Sequence, residues 1–67
     1  MSFNAIKVKG FQQKFDSLDS AIRTGTAKAT LDGITYYIIH DKLRDEYFLE
    51  SNVPTIRKWE EVVWQSK

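Results

Sequence analysis

The sequence predicts a small α+β domain: an antiparallel sheet of three to four strands, a short helix after the first strand and a C-terminal helix, in the order β-α-β-β-β-α. Apolar residues alternate near the N-terminus and in the middle of the chain, which is typical of half-buried strands. They recur at helical spacing in two other segments, and one Asp-Gly pair favours a tight turn. A chain of 67 residues has room for one hydrophobic core, so we expect a single domain over residues 1–67.

The first strand is predicted over residues 3–9, where Ile6 and Val8 alternate with Lys7 and Lys9. Gly10 closes this segment.

A short helix is predicted over residues 15–25. Asp16 suits its N-terminus, and Leu18 and Ile22 recur at helical spacing. Gly25 provides a left-handed stop.

A hairpin is predicted next, with strands over residues 28–31 and 34–40 joined by Asp32-Gly33. Its alternation sends one set of side chains inward and a second set outward. The outward set contains Lys28, Thr30, Thr35, Tyr37 and Ile39.

The following strand, over residues 46–50, has two possible registers. Pairing His40 with Tyr47 leaves a four-residue loop and places Glu46, Phe48 and Glu50 on the outward side. A slip by one residue would put two glutamates over the core, so the first register is preferred.

The last segment, residues 55–67, fits a helix because Ile56, Trp59 and Val63 follow helical spacing. Residues 59–64 also fit an extended strand with aromatic ends, and of the two we favour the helix. On that helix Trp59 joins the inward stripe, so Trp64 is predicted to point outward as a binding anchor.

Little in the sequence indicates catalysis. The chain has no cysteine and a single histidine, His40, so the usual zinc ligand sets cannot form, and His40 is interpreted as a structural residue. The paired acids suit helix starts, turns and solvated faces. We therefore predict a protein that is not an enzyme and needs no cofactor.

The most informative feature is the outward side of the predicted sheet, which groups Tyr37, Ile39 and Phe48. Two aromatic rings and an isoleucine on an otherwise polar face indicate an interaction patch. Its predicted rim contains Lys28, Glu46 and Glu50. The alternative is that the C-terminal helix covers this face and makes it a second core layer.

We therefore predict a protein-binding module, in the format of a small phage-type inhibitor or adaptor that occupies the surface of a larger host or defence protein. The alternative partner is single-stranded nucleic acid, with Tyr37 and Phe48 stacking on bases and Lys7, Lys9 and Lys28 contacting phosphates. A homodimer through a sheet edge is a further prediction. No apolar run reaches membrane-spanning length, so we expect no membrane partner and a cytoplasmic location.

Overall fold

The computed structural model describes residues 12–51 and 56–66, which form one helix and one antiparallel sheet. The predicted strand over residues 3–9 lies outside the described residues. The elements in chain order are β1 (Gln12–Phe15), α1 (Leu18–Asp32), β2 (Tyr37–Asp41), β3 (Glu46–Glu50) and β4 (Glu60–Gln65). In the sheet the strands lie in the order β1-β3-β2-β4. The mixed α+β class, the antiparallel sheet and the helix after the first strand are confirmed.

Helix α1 is longer than predicted and includes residues 28–31, which were assigned to a strand. It begins after Ser17, whose side chain accepts a hydrogen bond from the Ser20 N–H, and it ends at Gly33, which adopts a φ of 73°. The Gly33 N–H donates to the Ala29 carbonyl at 2.9 Å. The Asp-Gly pair therefore ends a helix instead of turning a hairpin, because both structures use the positive φ that glycine readily adopts.

Strands β2 and β3 form the hairpin that the sequence predicts, in the predicted register. His40 pairs with Tyr47 and Ile39 pairs with Phe48, and residues 42–45 form the connecting loop. Since the register sets which side chains share a face, Tyr37, Ile39 and Phe48 lie on one side of the sheet.

Strand β4 replaces the predicted C-terminal helix, and that prediction is wrong. Strand β4 pairs with β2. Without β4, the backbone N–H and C=O groups along one edge of β2 would have no partner strand. Ile38 faces Trp64 and Ile39 faces Val62, so Val63 is an extra residue in a bulge. Two β-branched valines and a tryptophan suit this half-buried position, and the backbone pairing prevails over the helical spacing.

The core lies between α1 and one face of the sheet. Its buried residues are Ala21, Tyr36, Ile38 and Leu49. Around them pack partly buried side chains: Phe15, Leu18, Ile22, Ala29, Tyr47 and Trp64. Trp64 therefore contributes to the core while Trp59 is exposed, which reverses the predicted roles of the two tryptophans. The reversal follows from the change of element, because alternation along a strand replaces spacing along a helix.

The end of α1 is tied to the sheet by Tyr36. Its hydroxyl donates a hydrogen bond to the Asp32 carboxylate. This bond, the burial of the ring and the charge of Asp32 together raise the pKa of Tyr36 to about 12.

Within the described part of the chain, no helix combines the length and the hydrophobicity needed to cross a lipid bilayer.

Candidate functional site

The candidate site is the face of the sheet opposite α1, which we call the outer face. Strand pairing arranges its side chains in three rows across the sheet. The middle row is Lys14, Phe48, Ile39 and Val62. The row at one end is Gln12, Glu50, Tyr37 and Gln65, and the row at the other end is Glu46, Asp41 and Glu60.

The centre of the outer face is apolar. Phe48 and Tyr37 are half-buried, and Val62 is 40% exposed. Ile39 is only 2% exposed, so it forms the floor of the patch and its neighbours provide the accessible surface. Because α1 packs on the opposite side, against Leu49 and Ile38, the one helix of the described residues does not cover this face.

Polar side chains of β1 and β3 form one side of the rim. Lys14 Nζ lies 3.4 Å from Glu46 Oε2, and Gln12 Nε2 donates to Glu50 Oε2 at 2.9 Å. Glu46 and Glu50 therefore flank Phe48, where the predicted register places them. The position of Lys14 is not predictable from the sequence, because β1 is short and its residues Gln12, Gln13 and Lys14 show no apolar alternation.

The prediction that Lys28 belongs to this rim is wrong. Lys28 lies on α1, on the other side of the sheet, because residues 28–31 are helical. Its ammonium group is 3.9 Å from Asp32 Oδ2 and 6.0 Å from the centre of the Tyr36 ring. It therefore lies beside the hydrogen bond between Tyr36 and Asp32, which connects the end of α1 to the sheet.

The charges on the outer face are mainly negative. In the three rows, the described residues provide Lys14 as a cation against Glu46, Glu50, Glu60 and the buried Asp41, with Arg57 Nη1 lying 3.9 Å from Glu60. Lys7 and Lys9, the other cations of the nucleic-acid interpretation, lie outside the described residues. A face of this sign attracts basic groups and repels phosphates.

His40 lies on the helix side of the sheet, away from the outer face. Its ring stacks on Tyr47 with centroids 4.5 Å apart, and Nε2 lies 2.9 Å from Asp45 Oδ1. Among residues 12–51 and 56–66, no cluster of three or more His, Cys, Asp or Glu side chains could hold a metal ion.

The sheet edges carry features that disfavour pairing with a second chain. Strand β1 has four residues, and β4 is interrupted by the bulge at Val63. Short edge strands and bulges are common protections against edge-to-edge pairing. The homodimer through a sheet edge stays a prediction.

No family model, curated protein or solved structure matches the chain. The outer face is therefore the feature from which a function has to be inferred.

Proposed function

We propose that this protein is a non-catalytic binding module that docks its outer face on a larger protein. The observation that supports this proposal is the apolar row of Phe48, Ile39 and Val62 on the side of the sheet opposite α1, with Tyr37 beside it. Aromatic and apolar side chains at the centre of a patch provide most of the binding energy in protein interfaces.

The rim defines the chemistry of the partner. Glu46 and Glu50 outnumber Lys14, so the complementary surface should be apolar at its centre and carry Lys or Arg at its border. A domain of 67 residues that presents one such face suits an inhibitor or adaptor that occupies its partner's surface, as small phage-encoded proteins do.

The test compares two neighbouring valines on β4. Val62 belongs to the middle row of the outer face, whereas the adjacent Val63 is the extra residue of the bulge, and both are exposed. We expect Val62→Lys to reduce recovery of the partner from a lysate of the native host by about tenfold or more, because it puts a charge into the apolar centre. Val63→Lys is the matched control and should retain the partner.

Three outcomes would contradict the proposal. The partner could be recovered equally well with Val62→Lys, or the wild-type protein could retain no specific protein. Thirdly, tight binding to a short single-stranded oligonucleotide at low salt, weakening steeply as salt rises, would support the nucleic-acid alternative. Circular dichroism and Tm of both variants show whether the fold is intact.

A further inference from the structure

One end of the sheet displays a second apolar surface, which we call the tip. It consists of the β2–β3 loop, residues 42–45, and of residues 56–59, which precede β4. A hydrogen bond from the Lys42 N–H to the Trp59 carbonyl, at 2.9 Å, joins the two segments. Leu43 is 73% exposed, and Ile56 and Trp59 are also exposed.

The loop that displays Leu43 is anchored at several points. Asp41 is buried, and its Oδ1 accepts hydrogen bonds from the N–H groups of Leu43 at 3.0 Å and Arg44 at 3.1 Å. At the other end of the loop, Asp45 Oδ1 lies 2.9 Å from His40 Nε2. Leu43 is therefore held in place before any partner arrives, which lowers the conformational entropy lost on binding.

The exposed charges of the tip are mainly positive, because the two acids that flank it, Asp41 and Glu60, have little exposed surface. The Arg44 side chain is 72% exposed while that of its partner Asp41 is 2% exposed. Arg57 and Glu60 show the same asymmetry. The exposed cations of the tip are Lys42, Arg44, Arg57 and Lys58, against the exposed acids Asp45 in the tip and Glu61 beside it in β4.

We propose that Leu43 inserts into an apolar pocket of the partner protein whose border carries Asp or Glu side chains. This inference rests on the proposed function and adds a second contact, of opposite charge, to the one made by the outer face. A protein pocket fits better than an anionic membrane. The exposed Asp45 and Glu61 would meet the anionic lipid head groups, whereas a protein pocket can place its acids opposite the cations alone.

The experiment uses a photo-crosslinking residue, p-benzoylphenylalanine, introduced in separate variants at positions 43 and 62 in native host cells. Position 62 reports contact through the outer face, and position 43 reports contact through the tip. We expect both to yield adducts with the same protein, and mass spectrometry should map the position-43 adduct to apolar residues bordered by Asp or Glu. In the position-62 variant, adding Leu43→Ser should reduce the adduct by about tenfold or more.

Leu31→Ser is the matched control, because Leu31 is a leucine that is 84% exposed at the end of α1, away from the tip. It should leave the position-62 adduct unchanged, and both serine variants should keep the wild-type Tm because both side chains are exposed. A position-62 adduct that is unaffected by Leu43→Ser overturns the insertion of Leu43 and leaves the proposed function intact. If neither position yields an adduct, both proposals fail.

Two further outcomes would also overturn the inference. One is a position-43 adduct that maps to a surface without acidic residues. The other is sedimentation of the protein with phosphatidylcholine–phosphatidylserine vesicles that is lost in Leu43→Ser, which would assign the tip to a membrane surface.

Discussion

At the scale of single residues, Tyr36 combines a part-buried hydrogen bond with a raised pKa. It is buried, its hydroxyl donates to Asp32 at the end of α1, and its backbone bonds to Ser66 after β4. It therefore ties the end of the helix and the end of the last strand to β2. A hydrogen bond to a charged acceptor contributes more to the free energy of unfolding than one between neutral groups.

Tyr36→Phe should lower the free energy of unfolding at neutral pH by about 1 kcal/mol, because it removes the hydrogen bond to Asp32, whose carboxylate is 41% exposed and can bind water instead. Urea unfolding followed by circular dichroism measures the difference. Tyr37→Phe, on the other face of the sheet, is the control and should lose less.

The same substitution should change the pH dependence of stability. The pKa of Tyr36 is raised from 10.0 to about 12 in the folded protein, so the folded state holds this proton more tightly than the unfolded state. The resulting stabilisation is complete below pH 10 and is lost as the pH rises from about 10 to about 12. The difference in unfolding free energy between wild type and Tyr36→Phe should shrink over that interval, and a constant difference would contradict this account.

Residues on the outer face could be predicted from the sequence where their position depends on a local register. Tyr37, Ile39 and Phe48 share a face because β2 and β3 are joined by a short loop, so alternation alone fixes their sides. Lys28 and Trp64 could not be placed in this way. Their sides depend on whether their segments are helix or strand, and tertiary contacts decide that.

At the scale of elements, Gly25 lies in the middle of α1, where the helix packs too closely on the sheet to accommodate a side chain. A Cβ atom at position 25 would lie 2.8 Å from Trp64 Cζ3 and 2.9 Å from Leu49 Cδ1. Glycine in the middle of a sequence segment is compatible both with a helix stop and with close packing. The packing partners Leu49 and Trp64 are far away in the chain, so the local pattern at Gly25 predicts a helix end that is too early.

Gly25→Ala should destabilise the protein by about 1 to 2 kcal/mol, although alanine favours helices, because the added methyl group overpacks the contact with β3 and β4. A double-mutant cycle in urea tests the cause. In a Trp64→Phe background, which removes the outer ring atoms, Gly25→Ala should cost less, because only the contact with Leu49 remains. Equal losses in both backgrounds would exclude the contact with Trp64 as the cause.

The β2–β3 hairpin depends on a buried carboxylate that the sequence analysis interpreted only as a turn residue. Asp41→Ala should cost about 1 to 3 kcal/mol, because the N–H groups of Leu43 and Arg44 lose their acceptor. Asp41→Asn keeps one acceptor oxygen and should lose less. Amide hydrogen exchange at Leu43 and Arg44 provides the local measurement, and unchanged protection in Asp41→Ala would contradict the role of the carboxylate.

The elements that could be predicted are those formed by neighbours in sequence. The β2–β3 hairpin and the existence of a helix after the first strand both follow from local patterns. The positions of β1 and β4 do not. Strand β1 pairs with β3 across the whole of α1 and β2, and β4 pairs with β2 across β3. Both strands therefore depend on partners distant in the chain, and the local pattern of β4 fits a helix as well as a strand.

At the scale of the whole molecule, the strand order β1-β3-β2-β4 makes the ends of the described chain part of its structure. The first and last strands are the sheet edges, and Phe15 and Trp64 from these strands pack on the same core as α1. A domain this small has one core, and removing any layer exposes the rest. We therefore expect α1 and the sheet to unfold together.

This cooperativity can be measured with the two tryptophans. Trp59→Phe leaves Trp64, packed beside Gly25 of α1, as the single tryptophan, which can be excited selectively at about 295 nm. The exposed position of Trp59 makes the change mild. In urea, the emission of Trp64 and the far-UV circular dichroism of α1 should change at the same midpoint and with the same slope, because the contact between β4 and α1 breaks only when the core opens. The complementary variant, Trp64→Phe, should have red-shifted native emission from the exposed Trp59. An earlier midpoint for Trp64 emission than for circular dichroism would show that β4 detaches before α1 melts, and the core would then consist of two units.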